Sequence, residues 1–145
     1  MFRCTFAGHR EVGLPIADRI DEALDRILKR DTEFVFYSGG MGEFDSMCEM
    51  AVRRAKLKYP QLNIRLELVL PYPKRAMYTD KHLFDRIFIP DELEGVHYKR
   101  AIPLRNCWMA DNSDYVISFI QHDSGGAFTT VSYAKGQGKE VVNIA

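Results

Sequence analysis

Apolar residues return along the chain in two alternating rhythms. Short runs rich in β-branched and aromatic residues are separated by longer stretches whose apolar positions recur every three or four residues. The first rhythm reads as strand and the second as helix with one buried face. Phe2–Phe6 is a first strand, ending at Ala7-Gly8-His9-Arg10. Pro15 suits the opening turn of a helix, where its missing N–H costs nothing. Ile16, Ile20, Ala23, Leu24, Ile27 and Leu28 follow at helical spacing. Glu33–Tyr37 is a second strand, broken by Ser38-Gly39-Gly40. The next helix carries Met47, Met50, Ala51, Ala55 and Leu57 mostly inward and Arg53, Arg54, Lys56 and Lys58 mostly outward, and Tyr59-Pro60 stops it.

Ile64–Leu70 is a third strand, stopped by Pro71-Tyr72-Pro73. Residues 74 to 98 carry a weaker rhythm that fits a short helix around Tyr78–Asp85 and a short strand at Arg86–Ile89. Lys99–Asn112 reads as helix, with Pro103 restricting where it starts. Tyr115–Ile120 is strongly apolar and suits a central strand covered on both faces. Gly125–Lys135 is a small helix closed by Gly136 and Gly138, and Glu140–Ile144 is a last strand. Strands separated by helices imply right-handed crossovers and a mostly parallel sheet. The expected architecture is one α/β domain over residues 1–145, a Rossmann-like three-layer sandwich.

Composition narrows the function. At 145 residues, folding can hide roughly 68–70% of the unfolded surface, enough for a core without staples. Lys and Arg number 20, as do Asp and Glu. That balance argues against a broad basic face, and nucleic acid is not the expected partner. Cys4, Cys48 and Cys107 are odd in number and widely spaced, which suits reduced thiols of a cytosolic protein. The N-terminal residues lack the apolar stretch of a signal peptide, and no run of ~18 apolar residues suggests a membrane span. A cytoplasmic location is expected. His9, His82, His97 and His122 are too scattered to suggest a metal site.

Candidate chemistry lies in three turns that follow strands. Open α/β sheets bind ligands beyond the carboxyl ends of their strands, near the point where strand order reverses. The first turn is Gly8-His9-Arg10. Gly8 permits close backbone approach, His9 can donate a hydrogen bond, and Arg10 can grip a phosphate with two parallel bonds; the plainer reading is a turn with two solvated side chains. The second is Ser38-Gly39-Gly40-Met41-Gly42-Glu43-Phe44-Asp45, placed to offer backbone N–H groups to an anion. It matches neither the dinucleotide fingerprint nor the Walker loop. Asp45 reads equally as an ordinary helix-start charge or as a group for a ribose hydroxyl or another loop, and Glu43 is a further candidate. The third is Asp123-Ser124-Gly125-Gly126-Ala127-Phe128-Thr129-Thr130, where Ser124 suits a helix cap and Thr129 adds a hydroxyl. Arg105 and Trp108 share a helix face, one to reach a phosphate or sugar and the other to wall the pocket.

Taken together, these turns resemble the SLOG superfamily, and specifically its YpsA-like branch. That superfamily includes the LOG-type phosphoribohydrolases and the DprA/Smf DNA-processing proteins. The likeness runs from Thr5–Arg10 through Tyr37–Asp45 to Arg105–Asp114 and Gly125–Thr129. It implies a Rossmann-like fold and a nucleotide-derived ligand, such as an ADP-ribose-like molecule, and the dimers of LOG proteins imply a homodimer. Arg105 is placed like the LOG catalytic arginine. Asn106 stands where a lysine usually follows it, Ser124 replaces the loop proline, Phe128 replaces a loop glycine, and Ser132 stands where the catalytic glutamate should be. A serine cannot stabilise a cationic sugar-like transition state as a carboxylate does. The expected function is therefore a nucleotide-binding or sensing module. A nucleotide hydrolase of unassigned catalytic residues is the second reading. A DprA-like single-strand binder ranks third, because of the zero net charge.

Overall fold

Alternating apolar runs settle into six strands because each buries its side chains against helices packed on both sheet faces. The computed structural model describes every residue from Met1 to Ala145. In chain order the elements are β1 Phe2–Gly8, α1 Ala17–Ile27, β2 Glu33–Ser38, α2 Glu43–Lys58, β3 Asn63–Val69, α3 Ala76–Thr79, β4 Arg86–Phe88, α4 Tyr98–Asp111, β5 Tyr115–Phe119, α5 Gly126–Gly136 and β6 Glu140–Asn143. A single 3-10 turn at Asp91–Leu93 precedes α4. The six strands form one sheet in the order β4-β3-β2-β1-β5-β6, and every neighbouring pair is parallel. The expected Rossmann-like α/β architecture is the one observed, with the sheet parallel throughout.

The order reverses between β1 and β5. From β1 the chain steps outward through β2, β3 and β4, then returns along α4 to β5 on the opposite side of β1. The main core lies on one face of the sheet: Phe6, Phe34, Phe36, Leu66 and Ile117 pack against Ile16, Ile20, Leu24 and Ile27 and against Phe44, Cys48 and Val52. A smaller cluster of Ala7, Ala110, Val116, Val131 and Ala134 closes the sheet against α4 and α5. β5 is interior, with Val116 to Phe119 all buried. No helix is long and apolar enough to cross a membrane.

Two local expectations change. The buried stripe of α2 is Phe44, Cys48, Ala51, Val52 and Ala55, while Met50 and Leu57 are exposed. Helical periodicity places residues 44, 48, 51, 52 and 55 on one side, and Met50 and Leu57 fall beyond its edges. The segment expected as helix over Tyr78–Asp85 is helical only at Ala76–Thr79. Lys81 to Asp85 is drawn instead onto the sheet and α2: the Asp85 carboxylate accepts the Leu66 N–H at 2.7 Å and pairs with Lys56, and the Arg53 guanidinium donates to the Leu83 carbonyl at 3.0 Å.

Gly8, at the carboxyl end of β1, meets α2 without space to spare. A Cβ there would lie 2.2 Å from the Phe44 ring, which is fully buried. Gly8→Ala must displace that ring and overpack the core. We expect a loss of about 1–3 kcal/mol, read as a lower urea midpoint at unchanged m-value.

Candidate functional site

The strand-order reversal forces the loops after β1 and β5 to diverge, and a cleft of about 590 Å³ opens between them. One wall is the end of β1 and its loop, from Phe6 to Glu11. A second is the start of α5 with His122, Ser124, Gly125, Gly126, Ala127 and Thr130. The floor and far side come from Met41 and Asp45 beside α2 and from Ile102, Arg105, Asn106 and Met109 of α4.

At α5 the glycines do chemical work through conformation. Gly125 is the N-cap with φ +92°, and Gly126 opens the helix. The first intrahelical bond joins the Thr129 N–H to the Gly125 carbonyl, and no side chain caps the end. The N–H groups of Gly126, Ala127 and Phe128 therefore have no intrahelical acceptor, and the helix dipole makes their end attractive to an anion. Ser124, expected as the cap, instead sits 3.0 Å from His122 Nδ1. Thr129, expected to serve the cleft, donates its hydroxyl to the Gly125 carbonyl at 3.1 Å and lies off the lining. Thr130 occupies the wall in its place and donates to the Gly126 carbonyl.

The loop between β2 and α2 behaves differently. Three of its amides are taken by the protein itself: Gly40 N–H donates to Ser38 Oγ at 3.1 Å, Met41 N–H to Asp45 Oδ2 at 3.0 Å, and Glu43 N–H to the Arg10 carbonyl at 2.8 Å. Ser38 Oγ in turn donates to Glu49. Glu43 turns away and accepts the N–H groups of Val12 and Gly13, pinning the β1–α1 loop. Gly42, at φ +95°, lies so close to Arg10 that a Cβ would come within 2.6 Å of its Cα. Ser38, Gly39, Gly40, Gly42 and Glu43 thus build the loop's shape and do not line the cleft, while Gly8, His9, Arg10, Asp45, Arg105, Gly125 and Gly126 do.

Arg105 and Trp108 also part company. Trp108 packs edge-on against Tyr37 and Phe88, with ring centres 5.4 and 5.3 Å away, and contributes nothing to the cleft wall. Arg105 is buried, and its guanidinium donates to the carbonyls of Gly39 at 2.9 Å and Val69 at 2.8 Å and to Asn106 Oδ1 at 2.9 Å. Its remaining nitrogen meets only the Met41 sulfur, at 3.2 Å. Desolvation pulls this guanidinium below its usual range while nearby Asp45 and Tyr72 oppose the shift. No carboxylate lies within ion-pairing distance of it.

Three titratable groups complete the wall. Asp45 is 8% exposed, and burial pushes its carboxyl up to about 7, with Glu49 adding to the rise and Arg105 and the Met41 N–H opposing it. His9 and His122 stack face to face at 3.9 Å. His9 Nε2 accepts the Gln121 N–H at 2.8 Å, and burial and the His122 charge both hold His9 below the usual imidazole value. His122 and Asn106 carry no sequence signal beyond their neighbourhood; only the packing of α4 and the β5 loop brings them to the cleft.

This arrangement defines a Rossmann-like α/β protein with an open cleft at the switch point of a parallel sheet. No protein-family model and no curated protein matches the chain. Solved structures do match it in fold. DNA processing protein A from Streptococcus pneumoniae aligns with 97% of the chain at TM-score 0.69 and 17% identity, over 49% of its own length. DNA processing protein A from Helicobacter pylori, whose structure describes a single-stranded DNA binding mode, aligns with 97% of the chain at TM-score 0.63 and 18% identity, over 63% of its own length. The chain thus spans about half of the first protein and less than two thirds of the second. The fold they share is a Rossmann-like α/β fold. The expectation that nucleic acid is not a partner is corrected by this likeness, because a protein of this fold binds single-stranded DNA. A zero net charge averages over the whole surface, whereas a strand is held by local donors and grooves.

Two measurements follow. Arg105→Met leaves the Gly39 and Val69 carbonyls without their donor, and we expect about 2–4 kcal/mol of lost stability in urea unfolding. Asp45 stays protonated in the fold up to about pH 7 but loses its proton near 3.8 when unfolded. Its contribution to stability is complete below about pH 4 and is lost as the pH rises to about 7. Asp45→Asn should flatten that part of the stability–pH curve.

Proposed function

We propose that the cleft binds a nucleotide through its phosphate. The observation that carries this reading is the open start of α5, whose unpaired N–H groups face a cleft that also holds the exposed Arg10 and the buried, carboxylate-free Arg105. Backbone amides at a helix start and a guanidinium together suit a phosphate dianion or diester. The stacked His9 and His122 offer flat surfaces at the mouth, where a base can rest. Within the SLOG-type fold, the quoted turns favour the YpsA-like branch and a binding or sensing role.

The phosphate belongs to a free nucleotide such as ADP-ribose or to a unit of a single strand, the class of ligand that a protein of like fold binds. Both share the same recognition chemistry, and titration separates them. Calorimetry with AMP, ADP-ribose and an oligo-rU of matched phosphate concentration should give saturable binding for at least one. Free nucleotide binding with no oligonucleotide binding assigns the first source, and the converse assigns the second. Absence of binding to all three overturns the reading.

Arg10→Ala should weaken the bound ligand by ~10-fold or more, since a charge-assisted hydrogen bond contributes roughly 1.5–3 kcal/mol. Gly126→Ala provides a complementary test. Nothing lies within 4 Å of a Cβ at that position, so the variant folds, yet its methyl group stands beside the open amides. We expect an unchanged or higher melting temperature together with weaker binding.

A further inference from the structure

Asp45 presents an unusual acceptor to the cleft. It is the third residue of α2, and its carboxyl is more than nine-tenths buried. One oxygen accepts the Met41 N–H at 3.0 Å, and no other hydrogen bond or ion pair within the chain reaches the group. A buried carboxylate with a spare oxygen is costly unless a donor meets it. The cleft is the side from which a donor can arrive, because Asp45 forms part of its wall.

The donor cannot be a phosphate, which offers acceptors and repels a carboxylate. The open amides of α5 and the α2 start follow β5 and β2, which lie on either side of β1. Two strand spacings of ~4.8 Å set them about 10 Å apart, room for the sugar between a phosphate on one side and a hydroxyl acceptor on the other. A ribose presents its 2′ hydroxyl as a donor within a strand and two vicinal hydroxyls in a free nucleotide, and a carboxylate can accept from either, as acidic residues do in other α/β nucleotide sites.

We propose that Asp45 makes the cleft selective for ribonucleotides by accepting the sugar's hydroxyl hydrogens. This rests on the nucleotide reading of the cleft and adds the identity of the sugar. The charged form of Asp45 is the binding form, since an ionised carboxyl is a pure acceptor. Binding therefore draws the carboxyl back from its raised value near 7 toward the ordinary range. Other charged or titratable groups around it are Glu49 one turn along α2, Arg105 from α4, Arg10 and Glu11 after β1, and His9 and His122 at the mouth.

The test compares ligands that differ only at the 2′ position: AMP with dAMP, and oligo-rU with oligo-dU, each titrated into wild type and into Asp45→Asn. Asparagine keeps an acceptor for the Met41 N–H, and a melting curve confirms the fold. Wild type should prefer the ribose member by ~10-fold or more, and Asp45→Asn should reduce that preference to near unity with little change for the deoxy member. In carboxyl-carbon NMR of the wild type, the Asp45 titration should move to lower pH with AMP and stay in place with dAMP. Equal affinity for both members of each pair, or an undiminished preference in Asp45→Asn, overturns the sugar assignment and leaves phosphate binding standing. Absence of binding to all four ligands overturns both.

Discussion

The strand order can reverse at only one place in this sheet, and everything functional is built around that place. Parallel strands need crossover helices, and right-handed crossovers from β1 toward β4 put α1 and α2 on one face. The return through α4 to β5 puts α4 and α5 on the other face. The loops leaving β1 and β5 must then go to opposite faces, and the crevice between them cannot be filled by a connecting helix. A parallel sheet with this topology carries a cleft for geometric reasons, before any residue in it is chosen.

Arg105 ties the parts of that cleft together. It anchors α4 to the ends of β2 and β3 through the Gly39 and Val69 carbonyls. Those carbonyls sit at the carboxyl ends of their strands, and a guanidinium with five donors can satisfy both while keeping a nitrogen near the cleft. Gly39 leaves just enough room, since a Cβ there would come within 3.0 Å of the guanidinium carbon. One side chain thus does structural and electrostatic work at once: it closes the floor and leaves a positive charge beneath an open space. Asp45 shares the neighbourhood without forming an ion pair, so the Arg105 charge is not neutralised by direct contact.

The two glycine-rich loops show how similar sequences reach different ends. Both place a glycine with positive φ at the helix N-cap, Gly42 at +95° and Gly125 at +92°. After β2, the side chains of Ser38 and Asp45 and the Arg10 carbonyl take the N–H groups of Gly40, Met41 and Glu43. After β5, Ser124 pairs with His122, and the helix start stays open. The difference lies in which neighbours the tertiary fold supplies, since the loop after β2 faces Arg10 across a close backbone contact and the loop after β5 faces solvent.

The rhythm of apolar positions by itself determined the α/β class, the six strands and the four longer helices, because burial against a sheet face imposes its period on the sequence. It also marked the turns that carry glycine, since a φ near +90° leaves little choice of residue. It failed over residues 81 to 85, where side-chain bonds to α2 and β3 override a weak helical pattern. Only the tertiary structure decided that Trp108 leaves the site, that three of the β2–α2 amides are already occupied, and that His9 meets His122 across more than a hundred residues of chain. Those outcomes depend on which donors and acceptors meet in space, and spacing along one strand or helix carries no record of partners brought from another.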